Sequence, residues 1–332
     1  MGFGLCVIGC GQFARTFAQG VAPLGGEIDL FFASRDLKRA QAYAEAYRGS
    51  GAFGSYEEPA ADPNVDALYI CTPHHLHAQH VVLAARAGKH VLVEKPIARN
   101  LEEAAQAIEA CSKSGVTLMV AENVRFMSAV RHCKELVDSG ALGVVRLVQL
   151  HEEAAFRPGG WRSDTGRNGG GVFVDGGIHK VHFLRYLLGE PSHIYAAALP
   201  LALSEHEGED GLVMMARWSN GAVGLINHSW TSTRRVTPRR VSVSGTSGEL
   251  HFEIGAPWLS LERLGHTEET LKYAEDHSGI TPMVREFANS VRESRAPETS
   301  GQEGLRDLAL VLKAYESIQQ GRSLPFPDLR DN

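Results

Sequence analysis

Three groups of residues in this chain have the types and spacing to do chemistry. The first is Glu94-Lys95-Pro96, which follows the apolar run Val91-Leu92-Val93. The β-branched run reads as a buried strand. Proline lacks a backbone N–H and restricts the residue before it, so the strand stops there. A lysine is thereby held at the C-terminal edge of a sheet, where open α/β sheets bind ligands. The second group is Asp175-x-x-x-His179, within the amphipathic stretch 172–188. A helix places residues four apart on one face, with Lys180 and His182 elsewhere on it. Histidine exchanges a proton near pH 7, and a carboxylate one turn away can fix its tautomer or hold a hydroxylated ligand. The third group is Gly9-Cys10-Gly11-Gln12-Phe13-Ala14, a G-x-G-x-x-A pattern directly after the apolar Leu5-Cys6-Val7-Ile8. Gly9 permits a tight turn, Gly11 lets backbone N–H groups approach a pyrophosphate, and Ala14 lets the helix pack closely on the strand. Oxidising a secondary alcohol needs a hydride acceptor and a base for the hydroxyl proton. A lysine beside a cationic nicotinamide either gives up its proton readily or stays charged and stabilises an alkoxide.

The elements that position these groups follow from periodicity and punctuation. A helix with apolar Phe13, Phe17 and Val21 ends at Pro23, and a second strand covers 28–33. Another strand, 66–71, is stopped by Thr72-Pro73, and a helix over about 75–87 ends at Gly88. Asn100-Leu101-Glu102-Glu103 is similar to a capping box and starts a helix to about 114. The sixth strand is 117–121. Strands alternating with helices predict a parallel, doubly wound sheet over 1–122. From Glu122-Asn123 onward the rhythm changes. A helix to about 138, a strand at 144–150 and a loop over 156–171 precede strands at 194–201, 211–218, 222–230, 239–244, 248–253 and 258–264. Asn220-Gly221 is a hairpin signal. The expectation for 123–332 is an α/β domain with a large, mostly antiparallel open sheet. The polar stretch 268–278 reads as a loop, helices cover about 282–293 and 302–320, and the tail from 325 reads as loose.

Composition narrows the function classes. The chain has 332 residues and a formal charge of −6, so nothing points to nucleic acid or an anionic membrane. No apolar run approaches the roughly 20 residues of a membrane span, and the start lacks a basic n-region. Five scattered cysteines without a Cys-x-x-Cys pair suit a reducing compartment, and the expected location is the cytoplasm. His74, His75, His77 and His80 crowd one helix start, but no cysteine or carboxylate completes a ligand set, so no metal is expected. The second strand ends Ala33-Ser34-Arg35, with Lys38 and Arg39 one turn on. An acidic residue there would repel a 2′-phosphate, whereas Arg35 and the Ser34 hydroxyl would bind it. The reading is NADP(H) over NAD(H). Asp36 lies past the strand end and reads as a helix N-cap. Glu122 is an additional candidate acid, and His151, His228 and Trp230 lie on strands, where core or sheet-face roles are expected.

Four features in order, the G-x-G-x-x-A turn, Thr72-Pro73 with His77, Ala87-Gly88-Lys89-His90-Val91 leading into Glu94-Lys95-Pro96, and Gly169-Gly170-Gly171 leading into Asp175-x-x-x-His179, resemble the glucose–fructose oxidoreductase / inositol dehydrogenase / MocA family over nearly the whole chain. The resemblance implies a Rossmann domain, a second α/β domain whose sheet face pairs subunits into a homodimer or homotetramer, and a cis bond before Pro96. It implies that Lys95 is the catalytic lysine, that His179 handles the substrate hydroxyl proton with Asp175 beside it, and that Glu94 and His77 lie close to the nicotinamide ribose. Cys71, Thr72, Pro73 and Asn123 complete the expected cofactor contacts. Arg125, Trp161, Arg162 and Asn168 are candidate contacts for a sugar, cyclitol or related polyol. The alternatives are a trans-dihydrodiol dehydrogenase-like NADP enzyme and a dinucleotide-binding sensor without turnover. Retention of Lys95, Asp175 and His179 argues against the sensor.

Overall fold

The computed structural model describes residues 2–232, 240–273 and 277–327. The chain forms two compact units, Met1–Asn123 with Gly279–Leu305 and Val124–Ser278 with Arg306–Asn332. A boundary after residue 122 was expected, with room for the last helix to pack back on the first unit. The late segment that groups with the first unit, Gly279–Leu305, holds the helix before the last and only the first residues of the last one.

In the first unit the elements are β1 (Phe3–Ile8), α1 (Gln12–Val21), β2 (Ile28–Ala33), α2 (Leu37–Tyr47), β3 (Gly51–Phe53), α3 (Glu57–Ala61), β4 (Ala67–Ile70), α4 (His77–Arg86), β5 (His90–Val93), α5 (Leu101–Ser114) and β6 (Leu118–Val120). The six strands pair in parallel, in the order β3-β2-β1-β4-β5-β6. Every residue of β1 and β4 is buried, which is why these strands read as unbroken apolar runs rather than alternating ones. On α1, Ala14, Phe17, Ala18 and Val21 form the buried stripe, and Phe17 stacks on Tyr69 with ring centroids 3.6 Å apart. The expected caps are present. Asp36 accepts from the Lys38 N–H at 3.1 Å to start α2, and Asn100 accepts from the Glu103 N–H at 2.9 Å to start α5. Two details differ from expectation. A separate 3-10 turn, His74–Leu76, precedes α4, and β3 has only three residues, too few to show a period.

The second unit contains α6 (Ser128–Asp138), β7 (Val145–Glu153), the one-turn α7 (Thr165–Asn168), a π-helical turn Phe173–Gly177 running into α8 (Ile178–Leu188), and strands β8 (His193–Ala198), β9 (Gly211–Arg217), β10 (Val223–Ser229), β11 (Arg240–Gly245), β12 (Gly248–Glu253), β13 (Trp258–Arg263) and β14 (Glu269–Lys272). Next come α9 (Ile280–Arg292) of the first unit, the long α10 (Gly301–Gln320) and β15 (Leu324–Pro325). In the first unit, α9 is tied to α1 by a Thr281 Oγ1 bond to the Gly20 carbonyl at 2.6 Å, and Phe3 meets Phe287 edge-on at 5.9 Å.

The nine strands run β14-β13-β12-β11-β7-β10-β9-β8-β15. All neighbours are antiparallel except β7 and β10. Along β9, Leu212, Met214 and Ala216 are buried while Val213 and Met215 are exposed, the alternation of a sheet with one covered face. Two stretches correct the sequence reading. Residues 269–272, expected in a loop, pair with β13; with one apolar residue in Glu-Thr-Leu-Lys, this charged edge strand carries no hydrophobic signature. The tail is held at its start, where Leu324 pairs with Ile194 and Phe326 is buried. Arg239 and residues 328–332 lie outside the described residues.

Candidate active site

The start of α1 is built for an anion. Gly11 caps it without a side-chain hydrogen bond, and its first turn carries no acidic residue. A helix leaves its first N–H groups unpaired within the helix, and the helix dipole favours a negative group there. A Cβ added at Gly11 would meet nothing within 4 Å, so this is a cradle with open space in front of it. Gln12 is exposed, Phe13 half-buried and Ala14 fully buried. The residues present fit the diphosphate of a dinucleotide.

At the end of β2 the buried Ser34 accepts the Asp36 N–H at 3.2 Å. Arg35 is exposed, and its charge acts on the Tyr56 hydroxyl. Lys38 and Arg39 are exposed on the first turn of α2. Asp36, past the end of β2, serves as the N-cap of α2.

Past β4, the chain turns through Cys71-Thr72-Pro73. Cys71 is half-buried. Thr72 Oγ1 lies 3.0 Å from His80 Nδ1, and burial, followed by the neighbouring His77 charge, pushes His80 down to about 4. His77 is 0 % exposed. Its Nδ1 lies 2.8 Å from the Pro96 carbonyl and its Nε2 2.9 Å from the Thr72 carbonyl. Both ring nitrogens are engaged by backbone, and the side chain ties the turn after β4 to the turn after β5.

The Lys95–Pro96 peptide bond is cis, as the resemblance implies. Lys95 itself is half-buried. Beside it, Glu94 is buried and accepts the Tyr69 O–H at 2.5 Å. Burial pushes the Glu94 carboxyl up to about 7, against the opposing pull of the Lys95 charge and the Tyr69 bond; the nearby Glu122 adds to the rise. Glu122 is 2 % exposed, and Asn123 is half-buried. The Glu94 value fixes a pH dependence. Below pH 4.5 the carboxyl is protonated in both folded and unfolded chains. Above about 7 it is ionised in both, and folding then bears a penalty on the order of 3 kcal/mol. Stability contributed by Glu94 therefore falls as pH rises through 4.5 to 7. Thermal melts of Glu94→Gln against wild type are expected to shift in favour of the variant across that window. A pH-independent difference would contradict it.

In the second unit, the Gly-rich loop leads into the π turn that carries Asp175, and His179 follows in the first turn of α8. The sequence predicts one α-helix here. A π turn is wider, so the four-residue spacing no longer has ideal α-helical geometry, and such turns frequently mark functional sites. Asp175 is 4 % exposed and His179 half-buried. Arg162 Nε donates to Asp175 Oδ2 at 2.8 Å, and the Arg162 guanidinium lies over the Trp161 ring at 4.3 Å. The structure thus joins Trp161, Arg162 and Asp175 into one cluster. The Arg125 guanidinium lies 4.3 Å from the Tyr186 ring centre. Asn168, expected to contact substrate, is 1 % exposed, and its amide donates to the carbonyls of Gly170 and Gly171 at 3.1 and 2.8 Å. It shapes the loop from inside.

Sequence reasoning missed several groups around α8. Lys180, 2 % exposed, is paired with Glu152 of β7. His228 is fully buried, and burial pushes it down to about 3, in line with the core role expected for it. His182 Nδ1 lies 2.8 Å from Asp307 Oδ2, and Arg185 bonds both Asp307 and Glu190. Glu152 and Asp307 lie on distant elements, so no local spacing reveals them. Tyr69 is different. It sits on the strand beside β5, so strand adjacency would have found it.

Residues 3–122 match the family described as "Oxidoreductase family, NAD-binding Rossmann fold", and residues 130–251 match "GFO/IDH/MocA C-terminal domain". The chain belongs to the GFO/IDH/MocA family. Relatives span it nearly end to end. A 1,5-anhydro-D-fructose reductase of Ensifer adhaerens is 28 % identical over 329 residues, 96 % of each chain. A D-xylose 1-dehydrogenase (NADP(+)) 2 of Haloferax volcanii is 32 % identical over 307 residues, 88 % of this chain and 90 % of that one. Among solved structures, levoglucosan dehydrogenase in complex with NADH and L-sorbose superposes with a TM-score of 0.90 at 21 % identity, covering 99 % of this chain and 100 % of that one. As a GFO/IDH/MocA member the protein is an NAD(P)-dependent dehydrogenase or reductase. Among the described residues, no helix is long and apolar enough to cross a membrane, and no group of three or more His, Cys, Asp or Glu could hold a metal ion.

Proposed function

We propose that this protein is an NADP(H)-preferring oxidoreductase that moves hydride to or from a ring carbon of a sugar, cyclitol or related polyol. The observation that carries the cofactor choice is the end of β2, where Ser34 and Arg35 stand without a competing carboxylate. The relative named as an NADP(+) enzyme points the same way. When bound, the dinucleotide supplies the hydride acceptor or donor. The chain supplies the rest. The N–H groups at the start of α1 hold the diphosphate, with Gly9, Gly11, Gln12, Phe13 and Ala14 forming the turn. Cys71, Thr72, Pro73, Glu94 and Asn123 line the remainder of the cofactor path. Lys95 Nζ donates to the reacting oxygen and stabilises negative charge on it. An imidazole nitrogen of His179 takes the hydroxyl proton, or returns it in reduction. Asp175, paired with Arg162, orients that ring and binds a neighbouring hydroxyl. Trp161 and Arg125 supply further substrate contacts.

Sugar and polyol substrates are favoured by the hydroxyl-binding set Arg162–Asp175 and by the relatives' names. The outer face of the nine-stranded sheet, where Tyr195 and Met215 face each other across β8 and β9 and both are exposed, is proposed to pair subunits into a dimer or tetramer.

The cofactor reading is tested by initial rates with NADP+ and NAD+ on wild type and Arg35→Ala. A charged hydrogen bond to the 2′-phosphate contributes about 1.5–3 kcal/mol. Wild type is expected to favour NADP+ in kcat/KM by at least about tenfold, and Arg35→Ala to lose most of that preference. Preference for NAD+ in wild type would overturn the assignment to Arg35.

A further inference from the structure

The helical segment that carries Asp175 and His179 begins at Val172 with no capping side chain of its own. The first N–H groups of a helix need partners from elsewhere when they are buried. Here two residues far along the chain supply all of them. Tyr315 Oη accepts from the Gly171 N–H at 3.2 Å and the Val174 N–H at 3.1 Å. Glu209 Oε1 accepts from the Phe173 N–H at 2.9 Å, and the Glu209 carbonyl accepts from the Val172 N–H at 2.9 Å. Tyr315 in turn donates its O–H to Glu209 Oε1 at 2.8 Å. Four consecutive N–H groups are thus paired, and the phenol uses its one donor and both lone pairs.

The glycines of the loop serve this approach. A Cβ at Gly171 would lie 2.2 Å from the Glu209 carbonyl oxygen, and one at Gly170 would lie 2.6 Å from the Tyr315 ring. A Cβ at Gly208 would lie 2.6 Å from Gly171 Cα. Gly170 and Gly171 are therefore the contact surface for a remote cap. Burial pushes the Tyr315 hydroxyl well above its ordinary range, so it remains a donor at neutral pH.

We propose that Glu209 and Tyr315 are positioning residues that fix the start of the π turn and thereby set the directions of Asp175 and His179. The proposal rests on the reading of those two as the proton-handling pair. A small rotation at the first turn carries through to both side chains, and misplacement of about 1 Å costs on the order of 10²-fold in rate.

The test uses Tyr315→Phe, Glu209→Ala and Glu209→Gln in the full chain. Tyr315→Phe keeps the ring and removes the acceptor. Glu209→Gln keeps an oxygen for Phe173 N–H and Tyr315 O–H. The expected result is a kcat lowered about 10- to 100-fold in Tyr315→Phe and Glu209→Ala, with KM and the NADPH Kd changed less than about threefold. Glu209→Gln is expected to restore kcat to within about threefold of wild type. Amide hydrogen exchange of residues 171–174 reads the cap without any substrate. Gly171 and Val174 are expected to exchange faster in Tyr315→Phe, and Phe173 in Glu209→Ala. Wild-type kcat in variants whose exchange has accelerated would overturn the positioning role, and unchanged exchange would overturn the cap. A raised KM with unchanged kcat would make these binding residues instead, also against the proposal. Should Glu209→Ala fail to fold, Tyr315→Phe and Glu209→Gln still decide the question. If wild type transfers no hydride, the proposed function falls while the exchange measurement still tests the cap.

Discussion

Lys95→Ala is expected to lower kcat about 10²- to 10³-fold while leaving NADPH binding intact. The range is that for removing one preorganised donor from a developing oxyanion. The lysine sits at the carboxyl edge of β5, after four residues paired in register with β4. A side chain there follows a strand paired on both sides, with β4 and with β6. Glu94, Tyr69 and Glu122 form the buried surroundings of that strand end. They remain when Lys95 is truncated, so the variant should fold. On the proposed reading, dinucleotide binding depends mainly on the start of α1 and the end of β2, which the substitution leaves untouched. Fluorescence titration with NADPH and steady-state rates separate the two effects. A variant with wild-type turnover would remove Lys95 from the chemistry. A variant that no longer binds NADPH would make it a cofactor residue.

Gly9→Ala is expected to weaken NADPH binding about 100-fold, equivalent to about 2.7 kcal/mol. Gly9 has φ +99°, and an added Cβ would lie 2.8 Å from the Cys71 carbonyl oxygen. Holding a residue other than glycine in that region costs about 1–3 kcal/mol, and the contact with backbone cannot be relieved by a rotamer change. The Gly9 N–H bonds the Ala33 carbonyl, and its own carbonyl accepts the Gly11 N–H at 2.8 Å. Any shift at Gly9 therefore moves the cradle at the start of α1. Isothermal titration with NADPH, alongside a thermal melt to confirm folding, measures the loss. An unchanged Kd in a folded variant would show that the turn does not hold the diphosphate.

The first unit was legible because its chemistry is local. Its strands are buried on both faces and so appear as apolar runs, and Gly, Pro, Asn and Asp punctuate them at β1, β4, β5 and α5. The cis bond at Pro96 came from the family resemblance, since nothing in the residues alone requires it. Elsewhere the residue types were legible and their hydrogen-bond partners were not. His77 is essential-looking by type, yet its ring nitrogens go to the carbonyls of Thr72 and Pro96. Asn168 looks like a polar loop contact, yet it is buried and holds Gly170 and Gly171. The π turn at Phe173–Gly177 was invisible because an amphipathic stretch has nearly the same pattern with or without one wide turn. Glu209 and Tyr315 were invisible for a different reason. Their partners are backbone N–H groups 36 or more positions away, and backbone N–H groups have no sequence signature. The short edge strands β3, β14 and β15 lack the length for a period.

The most direct measurement of the central claim is the appearance of reduced nicotinamide on mixing wild-type protein with NADP+ and a panel of sugars and cyclitols, with a trans-dihydrodiol included. The account predicts rapid NADP+ reduction with one or more hydroxylated rings, and loss of that signal in Lys95→Ala. Tight dinucleotide binding with no reduction by any ring, or turnover with the trans-dihydrodiol alone, would contradict it.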